Sequence, residues 1–290
     1  MEPSGAVASA PPRPDARAES HTRGAAFFDL DRTLIAGASP AVLAVAAWRA
    51  GMLDGSVLAQ DGVRALAFRL FGASDETSAK SRDRALGMIA GSSRDDMLGL
   101  NEVVIPRLLD SIRPESHNLI EMHHDAGRET WIVSASPQEI VGALAAALGM
   151  TGGIGTRGAV ADGLYTGELD GPFVYGEGKV EAIDDLAASR DYDLRLCYAY
   201  TDSVSDLPML EAVGHPVAVN PDSALESIAW QRGWPIVIFS RRTKRAIKMT
   251  TAVSGAIGLA SATYAAGRRH GRIIEAAESA RSSRPWSLRS

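Results

Sequence analysis

The sequence predicts an α/β fold: a parallel sheet with helices on both faces and an all-helical cap inserted after the first strand. Three observations carry that expectation. Short, dominantly apolar runs recur at 25–28 (AAFF), 130–134 (TWIVS) and 196–200, and runs of this length read as fully buried strands. Helical segments separate the later runs, and strands alternating with helices imply a parallel sheet covered on both sides. Between the first run and about residue 112 only helical segments and polar breaks occur. An insertion of that size directly after a strand with a polar end is a lid candidate.

The elements follow in order. Residues 1–22, rich in Ala, Pro, Ser and Arg without apolar periodicity, read as a disordered leader with no apolar core of signal-peptide length. After the first strand, Ser39-Pro40 reads as a helix start, Ser at the N-cap and Pro at the first helical position. Helical segments are expected at 40–53, 56–71, 76–90 and 94–111. A helix over 116–125 ends at Gly127, the strand 130–134 follows, and 138–148 is an apolar helix. Residues 157–175 read as short strands joined by Gly turns. A helix over 179–188, a strand ending at Thr201-Asp202, and strands at 216–219 and 236–239 complete the pattern. The implied organisation is a catalytic core of 23–36 and 113–240, a cap of 37–112 and a basic tail of 241–290.

Composition narrows the function. The single cysteine, Cys197, excludes an internal disulfide and a cysteine-based zinc site and fits a reducing cytoplasm. Residues 241–290 hold 11 Lys and Arg against two Glu, whereas residues 1–240 hold 19 basic and 33 acidic residues. An acidic body of this kind is not a nucleic-acid binder, and a basic tail suggests contact with something anionic.

The strand ends carry the chemistry. The first run leads into Asp29 and Asp31, which the period of two places on one side of the strand. Close carboxylates repel unless one takes a proton or a cation lies between them, so a proton-shuttling pair, a metal site or both remain open. Ser134 ends the second strand, Asp202 ends the third with Asp206 close behind, and Lys179 opens the helix before it. Singly, each has an ordinary reading: Ser134 and Asp206 as helix N-caps, Lys179 as a solvated side chain. Together they place carboxylates, a hydroxyl and an ammonium on adjacent strand ends, where α/β sheets bind ligands.

These residues resemble the motifs of the haloacid dehalogenase superfamily, in its phosphoserine-phosphatase-like branch and an actinobacterial-type group within it. DLDRT resembles the first motif, VSAS the second, the Lys of GEGK the third and TDSVSDLPML the fourth, in the family's order, and VNPDSAL and RGWPI add to the likeness. The resemblance covers about residues 23–240. It implies a Rossmann-like core and a phosphomonoesterase that acts through an aspartyl-phosphate on a small or lipid phosphate ester. It makes Asp29 the nucleophile and Asp31 the acid and base. By the same resemblance Ser134 and Lys179 hold the phosphoryl group, Asp206 anchors Lys179 or a metal-bound water, and Mg²⁺ sits on Asp29, the carbonyl of Asp31 and Asp202. One departure bears on substrate: phosphoserine phosphatases carry a Glu nine residues after the nucleophile, and here that position is Ala38. Arg32 also stands where small residues are common. Arg82, Arg84 and Arg94 in the cap are candidates for reading an anionic substrate, against the plainer reading of solvated helix faces. His123-His124 is not read as a metal pair, because neighbouring helical residues point about 100° apart.

Rival readings are a phosphotransferase or mutase on the same fold, and a membrane-tethered binding protein with a decayed site. The tail keeps the second in view. Residues 249–267 form a 19-residue stretch without charge between basic flanks, about 28 Å long as a helix. Most of it is Ala, Gly, Ser and Thr, so its insertion energy is marginal. Three readings compete for it: a weak membrane span or surface anchor, a helix packed on the body, and disorder; on the first the tail meets anionic lipid, which gives a cytoplasmic protein with access to the inner face of the membrane.

Overall fold

The computed structural model describes residues 23–52, 82–83, 86–87, 89–239 and the backbone of 248–250. Its centre is β1 (Ala25–Phe28), all four residues of which are buried. Successive strand side chains face opposite ways. Ala25 and Phe27 therefore join one apolar cluster with Val133, Ile183 and Leu210, and Ala26 and Phe28 join another with Ile132, Ile140 and Leu144. A strand buried on both faces has no solvent side, which is why this run shows no polar alternation.

β1 pairs in parallel with β2 (Glu129–Pro137) on one side and with β6 (Tyr198–Thr201) on the other. Beyond β2 lies β3 (Gly152–Thr156), and beyond β6 lie β7 (His215–Val219), β8 (Ile236–Ile238) and β9 (Lys248–Thr250). All pairings are parallel except that of β9, which runs antiparallel to β8. Helices α4 (Pro114–Asp125), α5 (Gln138–Ala147), α6 (Glu177–Arg190), α7 (Leu207–Glu211) and α8 (Ser223–Arg232) link the strands. From β1 the chain moves outward to β2 and β3, and from β6 it moves the opposite way to β7 and β8. The crevice between the carboxyl ends of β1 and β6 is the switch point at which such sheets bind ligands. The fold is thus a Rossmann-like parallel sheet flanked by helices, with a helical insertion after its first strand.

The described part of that insertion comprises α1 (Ser39–Arg49), α2 (Arg94–Gly99) and α3 (Asn101–Leu109). The single helix expected over 94–111 is divided at Leu100, after Gly99, a poor helix former. The two ends of the insertion are bonded to each other: Ala36 N donates to Ser111 O at 2.9 Å and Arg113 N to Leu34 O at 3.0 Å. Val104 and Leu108 of α3 pack in the same cluster as Ile140 and Leu144 of α5. A hairpin of β4 (Gly158–Ala161) and β5 (Leu164–Leu169) is tied to the same region, with Arg94 N donating to Gly163 O at 2.9 Å and Tyr165 N to Ser92 O at 3.0 Å.

Two strands lie outside the sequence expectation. β3 reads GGIGT and carries no apolar run; a Cβ on Gly152 would stand 2.4 Å from the Trp131 ring, so close packing sets its composition. Met249 and Thr250, expected to begin a helix over 249–267, instead form part of β9, which satisfies backbone groups on the outer edge of β8. The rest of that stretch, the leader 1–22, the helix 56–71 and part of 76–90 lie outside the described residues. Among the described residues no helix is long and apolar enough to cross a membrane.

Candidate active site

β1 gives way at Asp29, whose amide donates to Tyr200 O of β6 at 2.9 Å. The chain then makes a wide loop over Leu30–Leu34, closed by Ile35 N donating to Leu30 O at 3.1 Å. Inside it Asp31 is extended and Arg32 is left-handed, with φ 62°. Leu30 and Leu34 are fully buried. These two leucines anchor the loop in the core, while the three charged residues between and before them are presented at the switch point. That is the physical reason for an apolar run that enters two carboxylates and then resumes.

Lys179 reaches the loop from the first turn of α6. Gly178 makes the approach possible, since a Cβ there would stand 1.9 Å from the Phe173 carbonyl oxygen. Lys179 Nζ donates to Asp29 Oδ1 at 2.6 Å and to Asp206 Oδ2 at 2.8 Å. Thr201 Oγ1 donates to the same Asp206 oxygen at 2.6 Å. Asp206 occupies the residue before α7 but makes no side-chain cap there; its carboxylate is turned to Lys179 instead. Asp202, at the end of β6, is ion-paired with Arg32, whose Nε lies 2.9 Å from Oδ2. Asp222 braces this region: its carboxylate accepts from Val204 N at 2.9 Å and caps α8 through Leu225 N at 2.8 Å, and its amide donates to Asp202 O at 2.7 Å.

On the other side of the loop, Ser39 N donates to Asp31 Oδ1 at 2.5 Å. Ser39 was expected as an N-cap; the cap position is Ala38, and the Ser39 hydroxyl is bonded to Ser136 Oγ at 2.7 Å. Ser134 Oγ accepts from Ser136 N at 3.2 Å. Sequence reasoning missed Ser39, Ser136 and Thr201 as parts of the site. The second serine of VSAS was the available signal for Ser136, and no local signal marks Ser39 for a role on Asp31.

Burial dominates the electrostatics. It lifts Asp29 to about 7, with Lys179 opposing and Asp206 and Asp31 adding to the rise. It lifts Asp202 to about 8, with the nearby Asp29 charge adding and Arg32 opposing. Asp31 is also raised by burial, against the bond from Ser39. For Lys179 burial disfavours the charge, yet the Asp206 and Asp29 carboxylates outweigh it and hold the ammonium protonated above its ordinary range. Among the described residues, four carboxylates (Asp29, Asp31, Asp202, Asp206) thus stand with two cations, Lys179 and Arg32. With all ionised, the set carries an excess of two negative charges. An oxygen-only donor set with that excess fits a hard divalent cation. No three His, Cys, Asp or Glu side chains among the described residues form a ready cage, so such a cation would rest on two carboxylates, a backbone carbonyl and water.

The other candidates lie apart from this cluster. Arg82 pairs with Asp83 and Arg94 with Glu139 of α5, at 3.2 Å, while Arg84 is outside the described residues. His123 is structural: Arg128 Nε donates to its Nδ1 at 2.7 Å and its Nε2 meets the Tyr200 hydroxyl at 2.8 Å. Burial, then the Arg128 charge, push its pKa down to about 3. His124 Nε2 meets Thr130 Oγ1 at 2.9 Å instead of sharing an ion with His123.

A family model of haloacid dehalogenase-like hydrolases matches residues 26–211, which include every residue of the cluster. A probable phosphatase of Mycobacterium tuberculosis is 40% identical over 274 residues, covering 89% of this chain and 94% of its own length. A phosphoserine phosphatase of the same organism is 37% identical over 245 residues, covering 83% and 79%. The crystal structure of a protein of unknown function from Bordetella pertussis superimposes with a TM-score of 0.66 at 29% identity, covering 74% of this chain and 98% of its own.

Proposed function

The chain belongs to the haloacid dehalogenase-like hydrolase family, and we propose that it is a phosphomonoesterase that works through an aspartyl-phosphate on Asp29. The observation that carries the reading is the buried Asp29–Lys179–Asp206 chain beside a second carboxylate, Asp31, held by a different element. Lys179 occupies Asp29 Oδ1, which leaves Oδ2 to attack phosphorus. The P–O bond to the leaving group then breaks, and Asp31 delivers a proton to the departing oxygen. Water next attacks the aspartyl-phosphate, Asp31 takes its proton, and inorganic phosphate leaves with Asp29 restored. Ser134 donates to a phosphoryl oxygen and Lys179 offsets its charge. Thr201 and Asp206 keep the ammonium in place, and Ser39 fixes the rotamer of Asp31. Mg²⁺ on Asp29, the Asp31 carbonyl and Asp202 would supply charge neutralisation between nucleophile and phosphate.

The proposed substrate is a phosphate ester of a small molecule or lipid, and residues 37–112 are read as the cap over it. Ala38 supplies no carboxylate for a substrate ammonium, which argues against tight selection of phosphoserine. Asp29→Asn is the direct test: turnover should fall by roughly 10⁴-fold or more with the circular dichroism spectrum unchanged, and acid-quenched wild-type enzyme should carry an 80 Da adduct on the peptide containing Asp29. Activity within tenfold of wild type would remove Asp29 from the role. The basic tail is proposed to bring this site to anionic lipid. Full-length protein should partition with anionic vesicles where a chain ending at Ser240 does not, and equal partitioning at low and physiological salt refutes it.

A further inference from the structure

We propose that Arg32 is the resident counter-ion of Asp202 and that a divalent cation must displace it to bind, so that loading the metal and releasing the Arg32 guanidinium are one event. The inference rests on the reading of Asp29 and Asp202 as metal ligands.

Among the described residues Arg32 and Lys179 are the two cations of the cluster, and they are held very differently. The Lys179 side chain is 3% exposed and is bonded to Asp29 and Asp206. The Arg32 side chain is 50% exposed, although its partner Asp202 is 6% exposed. One partner is fixed at a strand end; the other reaches in from solvent. The backbone of Arg32 is pinned, its amide donating to Gly37 O at 3.0 Å. Its guanidinium can leave by side-chain rotation alone, into water, with no loss of core packing. Lys179 has no such route.

The chemistry of the two occupants conflicts. The Arg32 Nε lies 2.9 Å from Asp202 Oδ2 as an ion pair. A Mg²⁺ ion takes ligand oxygens at about 2.0–2.1 Å and keeps several of its waters, which need the space beside that oxygen. The two cations also repel each other in a poorly solvated crevice. Removing a counter-ion from a buried carboxylate is costly unless another replaces it, so Asp202 favours having one of the two at all times. Exchange meets that requirement, and space and charge repulsion oppose simultaneous occupancy. A residue in this role sets how much free metal the enzyme needs, and it does so without touching the phosphate.

Calorimetric titration of EDTA-treated, dialysed full-length protein with Mg²⁺ tests the idea without an activity assay. Arg32→Asn and Arg32→Gly suit the left-handed φ of this position, and a melting curve for each establishes that it is folded. Both should bind Mg²⁺ about tenfold more tightly than wild type, the factor equivalent to 1.4 kcal/mol of relieved competition. In ¹⁵N-labelled wild type, the arginine Nε–H resonance that is missing from both variants should move when Mg²⁺ saturates. Equal or weaker Mg²⁺ binding by both variants, or an Nε–H resonance that does not respond at saturation, overturns the exchange and leaves the metal reading standing. A wild type that binds no Mg²⁺ overturns both.

Discussion

Replacing Lys179 by Met separates the electrostatic account of this site from a merely steric one. Met nearly matches the length of the lysine stem, so packing changes little, but Asp29 and Asp206 lose their shared counter-ion. Lys179 is 2% exposed and its contacts are 2.6 and 2.8 Å long, so little solvent screening discounts the loss. Removing one partner of a buried ion pair costs about 3–5 kcal/mol. For a domain of this size that is roughly 6–20 °C in melting temperature. The cost must depend on pH. In wild type the raised pKa of Lys179 lies well above neutrality; its stabilisation is present throughout the neutral range and lost only as pH rises through that folded value. In the variant the burdened groups are the carboxylates. Asp29 stands near 7 even with Lys179 present, above its ordinary 3.8, and goes higher without it. A folded state that binds more protons than the unfolded one loses stability as pH rises. The deficit of the variant should therefore be full at about pH 8 and shrink towards about 1 kcal/mol near pH 5.5, as Asp29 neutralises. Urea unfolding of metal-free wild type and variant at both pH values measures it. Turnover should fall by about 10²–10³, the usual cost of losing a group aimed at developing charge. A deficit below about 1 kcal/mol at both pH values, or one that grows on acidification, would show that the ammonium is not what holds these carboxylates together.

Two further outcomes follow from the same geometry. Asp29 and Asp202 are raised to about 7 and about 8, so metal-free protein gives up stability as pH rises from about 4 to about 8, and Mg²⁺ should restore it. The Mg²⁺-induced rise in melting temperature should be larger at about pH 8.5 than at about pH 6, and EDTA should abolish turnover; full activity in demetallated enzyme, or equal stabilisation at both pH values, contradicts the metal assignment. With Ala38 in place of a carboxylate, kcat/KM for phosphoserine should lie within about tenfold of that for a neutral-headed phosphate ester, because no buried partner is left unpaired by the latter; a preference of two orders of magnitude would mean that another residue binds the ammonium.

The sheet was legible wherever apolar runs are dense. AAFF and TWIVS are strands because both faces of β1 and β2 are covered, and the periodicity argument asks only that. β3 was invisible to it, since GGIGT owes its composition to the Trp131 ring lying against it and not to strand propensity. Met249 and Thr250 went the other way: local composition favoured a helix, and pairing with the edge of β8 decided the backbone. In the site, Asp29, Lys179, Asp202 and Asp206 could be listed from their positions at element ends. Which of them touch could not. The division of Lys179 between Asp29 and Asp206 depends on Gly178 letting α6 approach Phe173, and the hold on Asp31 depends on where α1 begins. Ser39 was given the helix-capping role that serines usually take, whereas its hydroxyl is bonded to Ser136, 97 residues away.

Where sequence rules failed locally, the structure shows a charge problem left unsolved. A stable interior pairs its charges, yet here four carboxylates share Lys179 and Arg32. Burial first, and the neighbouring carboxylates second, push two of them up to about 7 and about 8. Mutual neutralisation was available in principle: one more basic side chain at the strand ends would have lowered these values and stabilised the fold. On the proposed function it would also have filled the space that a cation and a phosphate require, and made Asp29 a poorer nucleophile by binding its second oxygen. The unpaired charge is therefore a stability cost tied to function. Among the described residues, the exposed guanidinium of Arg32 is the one counter-ion of the cluster placed so that it can leave. On that view the deficit is made up by ligands, and Ser39, which local rules read as a helix cap, is one of the residues that hold it open.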